Sequence, residues 1–467
     1  MMRSSSMGKG KRFSFGLALV IILLVLGALT WFLIAIFEGE RPSATLEPSP
    51  HYINGPKEFH VKVADRKSGL KSLSIKVLQE GRKVNILDKR FPYKGLLNKD
   101  GQHEFEKSFV LDPSTFDLGQ GAIELVLEVR DYSRRNGGDG NLTVSQKKMV
   151  VDTIPPSIRP ISRMNYITVG GTGLIVYEAS SDTVQSGVYM DNMYFPGYPA
   201  GKDYPSTAYV CYFTVPYYVK KRPQLYLWGK DKAGNESKAG FYYRIKRRRF
   251  RTQRINITDR FLAKVLPYFS FYQFESGLSD VEKFLKINRE LRRENTRAFF
   301  ELRKKTGSEQ LWEGKWIRLK NSATMAYFGD HRLYYYKGKK IDEQTHLGVD
   351  LASLAHSEVQ AANTGKVIFA GRMGIYGLTV VIDHGQGLAS IYSHLSQISV
   401  SEDQMVSKGE VIGTTGQTGL AGGDHLHFGV MVNGIFVNPI EWWDGHWIRD
   451  NVVRKLELLK KATTGAG

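Results

Sequence analysis

The chain of 467 residues contains one cysteine, Cys211, and one long stretch without charged residues. A single cysteine excludes an intramolecular disulfide framework and a zinc site made of several cysteines. A single apolar stretch excludes a protein that crosses a membrane repeatedly. Hydrophobic residues make up 42% of the chain and charged residues 24%, as in ordinary folded proteins, which excludes a disordered chain. Cys211 alternates with aromatic residues, and we expect it to lie buried in a strand.

The chain has fewer acidic than basic residues, with 46 Asp and Glu and 65 Lys and Arg, which gives a formal net charge of +19. Residues 341–450 have the opposite balance, with twelve acidic residues and four basic ones. Residues 244–254, in contrast, hold seven basic residues in eleven. An excess of positive charge favours an anionic partner. We predict that this basic segment either contacts anionic lipid or a wall polymer, or is a solvated edge strand or linker.

Residues 13–37 carry no charge and are predicted to form a transmembrane helix. At about 1.5 Å per residue they extend roughly 37 Å, enough to cross a hydrocarbon layer of ~30 Å. The basic tail 1–12 precedes them, which predicts a cytoplasmic N-terminus and an exported remainder. A cleaved signal peptide is the alternative, but its apolar core is only about 7–15 residues long. We expect a single-pass protein of the inner (cytoplasmic) membrane with a periplasmic or extracellular C-terminal part, where nucleic acid is not an expected partner.

The exported part is predicted to be mainly β. Phe59, Val61 and Val63 alternate with polar residues, and the same period recurs over 73–77 and 123–129. Short alternating runs between turn residues are typical of a β-sandwich, here similar to immunoglobulin-like modules. Similar Ser-Gly and Asp-containing turns later in the chain predict a second copy. The predicted order is a sandwich at 43–155, a second sandwich at 157–248, a helical connector at 258–305, a β-rich domain at 320–450 and a tail at 451–467.

Eight of the eleven histidines lie between residues 331 and 446. Alternate residues of a strand face the same side, so His425 and His427 are predicted to converge. Two histidines and one carboxylate suit Zn²⁺, and a catalytic zinc keeps three protein ligands and one open position. Five candidate residues are available: His346, Asp350, His394, His425 and His427. If three of them bind zinc, two remain for acid–base chemistry or for stabilising an oxyanion. The candidates stand in the motifs His346-x-x-x-Asp350, Tyr392-Ser-His394-Leu395 and Asp424-His425-Leu426-His427-Phe428.

The other histidines are interpreted as surface residues or as core residues with satisfied hydrogen bonds. They are His51, His60, His103, His331, His356, His384 and His446. The glycine-rich stretch 413–423 lacks the Lys-Ser/Thr ending of a phosphate-binding loop. We interpret it as a tight loop that leads into the His-Leu-His motif.

The three motifs together resemble the LytM/lysostaphin family of zinc metallopeptidases, peptidase family M23, over residues 325–445. The resemblance implies an antiparallel β-sheet with a narrow groove and zinc at its floor. It implies that His346, Asp350 and His427 are the zinc ligands, and that His394 and His425 flank the attacking water. The implied activity is hydrolysis of peptide bonds in peptidoglycan stems or cross-links by zinc-hydroxide attack on the scissile carbonyl.

Two positions depart from the common family pattern. Gly429 follows the His-Leu-His-Phe motif where Glu is frequent, and we expect an effect on the groove wall at most. Asp424 precedes the motif and either orients His425 or is a plain turn residue.

Two alternatives to an active enzyme stay open. Some family members lose ligands and act as scaffolds that activate a cell-wall amidase. Here all five motif residues are retained, which favours an enzyme. The second alternative is an enzyme that is latent because upstream residues, such as those between 306 and 345, cover the groove.

Overall fold

The computed structural model describes residues 9–464 of the chain. Residues 1–8 of the predicted basic tail and residues 465–467 of the predicted C-terminal tail lie outside the described residues. The described chain forms two compact units. The first extends to Ile154 and includes Lys232–Asn235, and the second contains Pro155–Asp231 and the residues from Glu236 onward.

A long helix, α1 (Lys9–Ile36), begins the first unit. Its segment Phe15–Ile36 has a mean hydropathy of 3.0, and none of it is buried. Exposed apolar side chains over 22 residues match the thickness of a hydrocarbon layer. Within residues 9–464, α1 alone is long and apolar enough to cross a membrane, and it coincides with the predicted segment 13–37. The helix supports a signal or an anchor at this position.

A β-sandwich follows α1 within the first unit. Its strands are β1 (Ser43–Glu47), β2 (Tyr52–Ile53), β3 (Lys57–Ala64), β4 (Leu70–Gln79), β5 (Arg82–Arg90), β6 (Glu104–Leu111), β7 (Gly121–Asp131) and β8 (Leu142–Val151). They form one sheet in the order β1-β3-β6 and another in the order β2-β8-β7-β4-β5. Phe59, Val61 and Val63 are fully buried between exposed neighbours, which confirms the predicted alternation. The buried faces of the two sheets form one core.

A second sandwich begins the second unit. Its strands are β9 (Ile158–Pro160), β10 (Asn165–Thr168), β11 (Thr172–Ala179), β12 (Thr183–Met190), β13 (Met193–Pro196), β14 (Tyr198–Pro199), β15 (Ala208–Thr214), β16 (Leu225–Asp231), β17 (Glu236–Ala239) and β18 (Tyr243–Lys246). The main sheets have the orders β14-β15-β11-β9 and β13-β12-β16-β17. Cys211 is buried in β15, as predicted, and burial raises the pKa of its thiol.

A helical segment follows strand β19 (Thr252–Ile257). Its helices are α2 (Asp259–Val265), α3 (Asp280–Lys286) and α4 (Arg292–Leu302), with a π-helical turn at Ile287–Leu291. Ser279 and Glu282 form a capping box at the start of α3. Asn288 interrupts the apolar stripe of this segment but is fully buried, and its amide donates to Asp342 Oδ2 at 2.8 Å. The hydrogen bond explains how a polar residue is tolerated there.

The C-terminal β-rich region is built around one large antiparallel sheet. Its strands are β20 (Ala323–Ala326), β21 (His331–Tyr336), β22 (Lys339–Thr345), β23 (Val349–Ala352), β24 (Glu358–Gln360), β25 (Gly365–Arg372), β26 (Leu378–Gly385), β27 (Leu388–Leu395), β28 (Gln397–Ile398), β29 (Met405–Val406), β30 (Val411–Thr414), β31 (Leu426–Val432) and β32 (Ile435–Val437). The large sheet has the order β20-β23-β31-β27-β26-β25-β29, with β32 paired to β31. Two small sheets have the orders β24-β30-β28 and β19-β21-β22. The mainly β fold class is therefore confirmed.

The end of the described chain is helical and packed. The helices are α5 (Ile440–Trp443), α6 (Gly445–Ile448) and α7 (Arg454–Thr464). Trp442 is fully buried, and its ring contacts Trp316 and also Tyr212, which lies in the second sandwich. Lys455 of α7 is buried and donates to the Leu174 carbonyl at 2.6 Å. The predicted tail is therefore helical over Arg454–Thr464, and its Lys455 contacts the second sandwich of the same unit.

Candidate metal centre and active site

Strands β23 and β31 are neighbours in the large sheet, and their register pairs Asp350 with His427. His346 lies in the turn that leads into β23, four residues before Asp350. The three side chains meet at one buried point. His346 Nε2 lies 2.8 Å from Asp350 Oδ1, His427 Nδ1 lies 2.9 Å from the same oxygen, and the two nitrogens are 3.0 Å apart. One strand pair and one turn are thus enough to assemble the cluster.

The hydrogen bonds around His346 define which of its nitrogens carries a proton. Its Nδ1 faces the carbonyl of Tyr327 at 3.0 Å, and a carbonyl only accepts, so Nδ1 is the protonated nitrogen. The Nε2 lone pair therefore points at the Asp350 carboxylate, another acceptor. Acceptors that converge in a buried place are stabilised by a proton on His427 Nδ1 or by a bound cation. A nitrogen, nitrogen, oxygen set of this kind fits Zn²⁺.

The ionisation of the cluster agrees with a cation-binding role. Burial lowers the pKa of His427 to about 4 and so disfavours a proton on its ring. Burial opposes ionisation of Asp350, but the neighbouring His346 and His427 hold the pKa of this carboxyl well below its usual range. A neutral imidazole and an ionised carboxylate are the forms that bind metals.

His394 stands beside the cluster because of an irregularity in its strand. The pairing of β26 with β27 shifts register between Leu378 and Val380, and His394 has a left-handed backbone with φ 60°. Such bulges are known to redirect a side chain next to active sites. The ring of His394 donates from Nδ1 to the Thr418 carbonyl at 2.8 Å, which leaves its Nε2 lone pair free. Burial holds the pKa of His394 well below its usual range.

His425 completes the group of five predicted residues. The glycine-rich loop 413–423 ends two residues before it, and an isolated bridge pairs Gly416 with His425. Its Nδ1 donates to the Gly423 carbonyl at 2.8 Å, and its Nε2 lies 3.7 Å from Asp350 Oδ1. The rings of His394 and His425 have centroids 4.9 Å apart. The structure therefore brings all five predicted residues to one cavity of about 200 Å³.

Two arginines of this cavity were missed from the sequence. Arg332 of β21 donates from Nη2 to Asp350 Oδ2 at 2.7 Å, and Arg292 of α4 lines the cavity wall. Arg292 precedes the strands of the large sheet, and Arg332 lies between two of them, β20 and β23. Its strand β21 belongs to the small sheet β19-β21-β22 and not to the large sheet that carries Asp350. No short motif signals such long-range placement, although Arg332 and Tyr334 do share one face by the period of two.

The remaining predictions around the site have mixed outcomes. His384 is a core residue with both ring nitrogens bonded, to the Thr364 carbonyl and to Ser390 Oγ, and burial lowers its pKa to about 4. Asp424 does not bond His425, since its Oδ2 accepts from the His356 backbone N–H at 3.3 Å. Gly429 faces the core, where an added Cβ would lie 3.3 Å from Ile391. This position is part of the packing and not of the groove wall.

Comparisons with known proteins agree with this site. The model of "Peptidase family M23" matches residues 344–439, the segment that holds the five residues. The DD-carboxypeptidase/endopeptidase Mpg of Neisseria meningitidis is 43% identical over 95 residues, which cover 20% of this chain and 22% of that protein. The peptidoglycan DD-endopeptidase ShyA of Vibrio cholerae is 38% identical over 96 residues, which cover 21% of this chain and 22% of that protein. The chain thus spans about a fifth of the length of these curated relatives.

A zinc-containing peptidase from Vibrio cholerae is similar over 77% of this chain and 85% of its own, at 13% identity and a TM-score of 0.26.

Proposed function

The chain carries a peptidase family M23 domain at its C-terminal part, and we propose that it is a zinc metalloendopeptidase that hydrolyses peptide bonds in peptidoglycan stems or cross-links. The observation that carries this proposal is the complete set of five residues around one cavity. His346, Asp350 and His427 would hold the zinc ion, and His394 and His425 would do the acid–base chemistry. A scaffold that had lost catalysis would not need to keep the two additional histidines.

The bound zinc would supply a Lewis acid that polarises the scissile carbonyl and lowers the pKa of water. The chain's own residues orient the reacting groups. His425 Nε2 is the better base, because its side chain is 16% exposed and open to the cavity. It accepts a proton from water and returns it to the leaving amine. His394 Nε2 accepts a hydrogen bond from the same water and holds it in line, and Arg332 fixes the Asp350 carboxylate.

Digestion of purified sacculi by the zinc-loaded full chain, followed by mass spectrometry, tests the proposal. We expect new stem-peptide ends with the wild type and none with His427→Ala. The control is His356→Ala, which removes an exposed histidine outside the cluster and should leave the products unchanged. Intact sacculi with the wild type and with every variant would contradict an active full-length enzyme and leave a latent enzyme or a scaffold.

We further propose that α1 is an uncleaved anchor in the inner membrane, with a cytoplasmic N-terminus and the catalytic domain in the periplasm. The support is the length of the apolar segment and the basic residues before it. Resistance of the full-length protein to alkaline extraction, together with protease access from the periplasmic side alone, would agree with this topology. A mature protein that begins after residue 37 would contradict it.

A second candidate is the same enzyme in a latent form. The observation that favours it is the narrow cavity, since about 200 Å³ is less than the ~300–1,000 Å³ of ordinary ligand sites. Arg292 narrows the cavity from α4, and in the described structure its guanidinium hydrogen-bonds only to Asn288 of the preceding π-helical turn. If upstream cover limits activity, Arg292→Ala should raise hydrolysis at least ~10-fold. Arg293→Ala, on the exposed side of α4, is the control, and equal rates for both variants would refute latency of this kind.

The basic segment 244–254 contributes three arginines to a basic cavity. A basic cavity of about 760 Å³ in the second unit is lined by Lys220, Lys221, Arg222, Arg244, Arg247 and Arg248 with aromatic residues between them. We propose that it binds anionic wall polymer or lipid headgroups, attracted by charge. Replacing Arg244 and Arg247 by Gln should weaken binding to sacculi if the ligand is a wall polymer. It should weaken binding to phosphatidylglycerol vesicles if the ligand is a lipid headgroup. Equal losses from a Lys83/Lys89 double variant in the first sandwich would contradict a specific site.

A further inference from the structure

A second cluster of buried ligand-type side chains lies in the first unit, at the end of the sandwich that follows α1. Glu38 stands two residues after the last residue of α1, Asp65 follows β3, and Asp131 ends β7. One carboxylate oxygen from each of the three lies within 4.8 Å of the other two. All three residues are less than 9% exposed. This carboxylate cluster takes no part in the proposed hydrolysis.

The surroundings of the carboxylate cluster hold its members in fixed positions. Asp65 Oδ1 accepts from the Gly69 backbone N–H at 2.6 Å, and Asp131 Oδ1 accepts from the Asn141 backbone N–H at 2.7 Å. Glu38 Oε2 accepts from the Glu40 backbone N–H at 2.8 Å. Backbone donors at each carboxylate fix the geometry without supplying a positive charge.

The oxygen that remains free is Asp65 Oδ2. Asp65 is only 3% exposed, yet this oxygen has no hydrogen-bond partner. Within residues 9–464, no lysine, arginine or histidine forms an ion pair with Glu38, Asp65 or Asp131. Burial, together with the neighbouring carboxylates, raises the pKa of Glu38 and of Asp65. Three carboxylates in one buried place without a cation are strongly unfavourable.

We propose that Glu38, Asp65 and Asp131 bind one Ca²⁺ ion. The donor set consists of oxygens only, which suits a hard cation and not zinc. The ligands come from three separated chain segments, and calcium tolerates the irregular cages that such segments build, whereas Mg²⁺ keeps most of its water. Asp65 Oδ2 becomes a ligand in place of an unpaired buried oxygen.

The position of Glu38 gives the ion a structural consequence. The Glu38 carbonyl already accepts from Ser133 Oγ at 2.8 Å, and the Ile36 carbonyl accepts from the Arg134 backbone N–H at 2.7 Å. A calcium ion would add a cross-link between the end of α1 and two loops of the sandwich. The sandwich would then be held rigidly on the helix when calcium is present, and loosely when it is absent.

Terbium luminescence and hydrogen exchange on the full chain in detergent micelles test the site. Tb³⁺ replaces calcium in oxygen cages and is excited through nearby tyrosines, and Tyr132 directly follows Asp131. We expect one saturable terbium site from which Ca²⁺ displaces the probe, with a Kd on the order of 10⁻⁴–10⁻³ M. Calcium should also slow exchange in residues 36–41, 65–69 and 131–141, while Mg²⁺ at the same concentration should not.

Variants make the test specific. Asp65→Asn should weaken calcium binding at least ~10-fold, while its new amide donates to the neighbouring carboxylates and keeps the metal-free fold intact. Asp88→Asn removes an exposed charge from the same sandwich and should bind calcium as the wild type does. Unchanged exchange in wild-type protein with calcium, or equal terbium signals from wild type and Asp65→Asn, would overturn the proposal. Because none of these readouts involves hydrolysis, they are independent of the peptidase activity.

Discussion

The His346, Asp350 and His427 cluster and the carboxylate cluster of Glu38, Asp65 and Asp131 are both buried and both consist of three ligand-type side chains. They differ in their donor atoms. The first offers two nitrogens and one oxygen, which lie within 3.0 Å of one another. The second offers oxygens alone. Donor chemistry therefore predicts different ions, zinc for the first cluster and calcium for the second.

The two clusters also differ in what surrounds them. Two further histidines and two arginines line the cavity of the first cluster, so proton transfer has partners there. The carboxylate cluster is held by backbone N–H groups, which fix geometry but exchange no protons with a substrate. The comparison indicates chemistry at one cluster and mechanical fixation at the other. The predictions below separate these roles, from the largest effect to the smallest.

Selective removal of zinc should separate the clusters completely. 1,10-Phenanthroline binds zinc and not calcium, so it should abolish sacculus hydrolysis while the calcium-dependent slowing of exchange at residues 131–141 persists. Added Zn²⁺ should restore hydrolysis, and added Ca²⁺ should not. Hydrolysis is measured by release of soluble peptides. Recovery of hydrolysis with calcium alone would contradict the assignment of zinc to the first cluster and calcium to the second.

A change in the packing beneath the histidine cluster should strongly lower the free energy of unfolding of the second unit. Phe299 is fully buried, and its ring contacts Tyr376, which in turn contacts His427. Phe299→Ala should lower the free energy of unfolding of the second unit by about 3–5 kcal/mol. Tryptophan fluorescence during denaturant unfolding reports this unit. Phe300→Ala, at a position that is 38% exposed, should cost far less, and similar losses for the two variants would contradict the packing account.

Loss of the arginine that holds Asp350 should weaken metal binding. Arg332→Met removes the donor to Asp350 Oδ2, and partners of this kind commonly contribute 10–100-fold in metal affinity, so we expect a loss of about that size. Competition with a chromophoric zinc chelator measures it. Arg254→Met changes an arginine on the adjacent strand that stacks on Tyr335. Equal zinc affinities of Arg332→Met and this control would exclude a positioning role for Arg332.

A single enclosed carboxyl, Glu441, should make the stability of the second unit depend on pH. Burial raises the pKa of Glu441 to about 8, while its Oε2 accepts from the Thr172 backbone N–H at 2.8 Å. The folded state therefore binds more protons than the unfolded state between about pH 4.5 and pH 8, and stability falls as pH rises through this window. Thermal unfolding at several pH values should show a flatter profile for Glu441→Gln. A wild-type profile that rises between pH 5 and pH 8 while the Gln profile stays unchanged would contradict this sign.

Much of the fold could be predicted because local patterns decide it. The uncharged run predicts α1, and the alternation around Phe59 predicts strand β3. Long-range packing left no such trace. The parallel pairing of β19 with β21 and the docking of α7 against the second sandwich depend on contacts between distant segments.

The two clusters show the same division. His346 and Asp350 are four residues apart, and His425 and His427 are two apart, so spacing and family resemblance together identify the candidate zinc residues. Glu38, Asp65 and Asp131 are single residues in three separate turns, and only the folded sandwich brings them together. Arg332 was missed for the same reason, since it lies on β21, in a different sheet from its partner Asp350 on β23.

The most direct test of two clusters with two ions is the metal content of the full chain, measured by elemental analysis after equilibration with zinc and calcium. The account predicts one zinc and one calcium per chain. His427→Ala should lose zinc and keep calcium, and Asp65→Asn should lose calcium and keep zinc. Loss of both ions in either variant, or the same metal content in all three proteins, would contradict it.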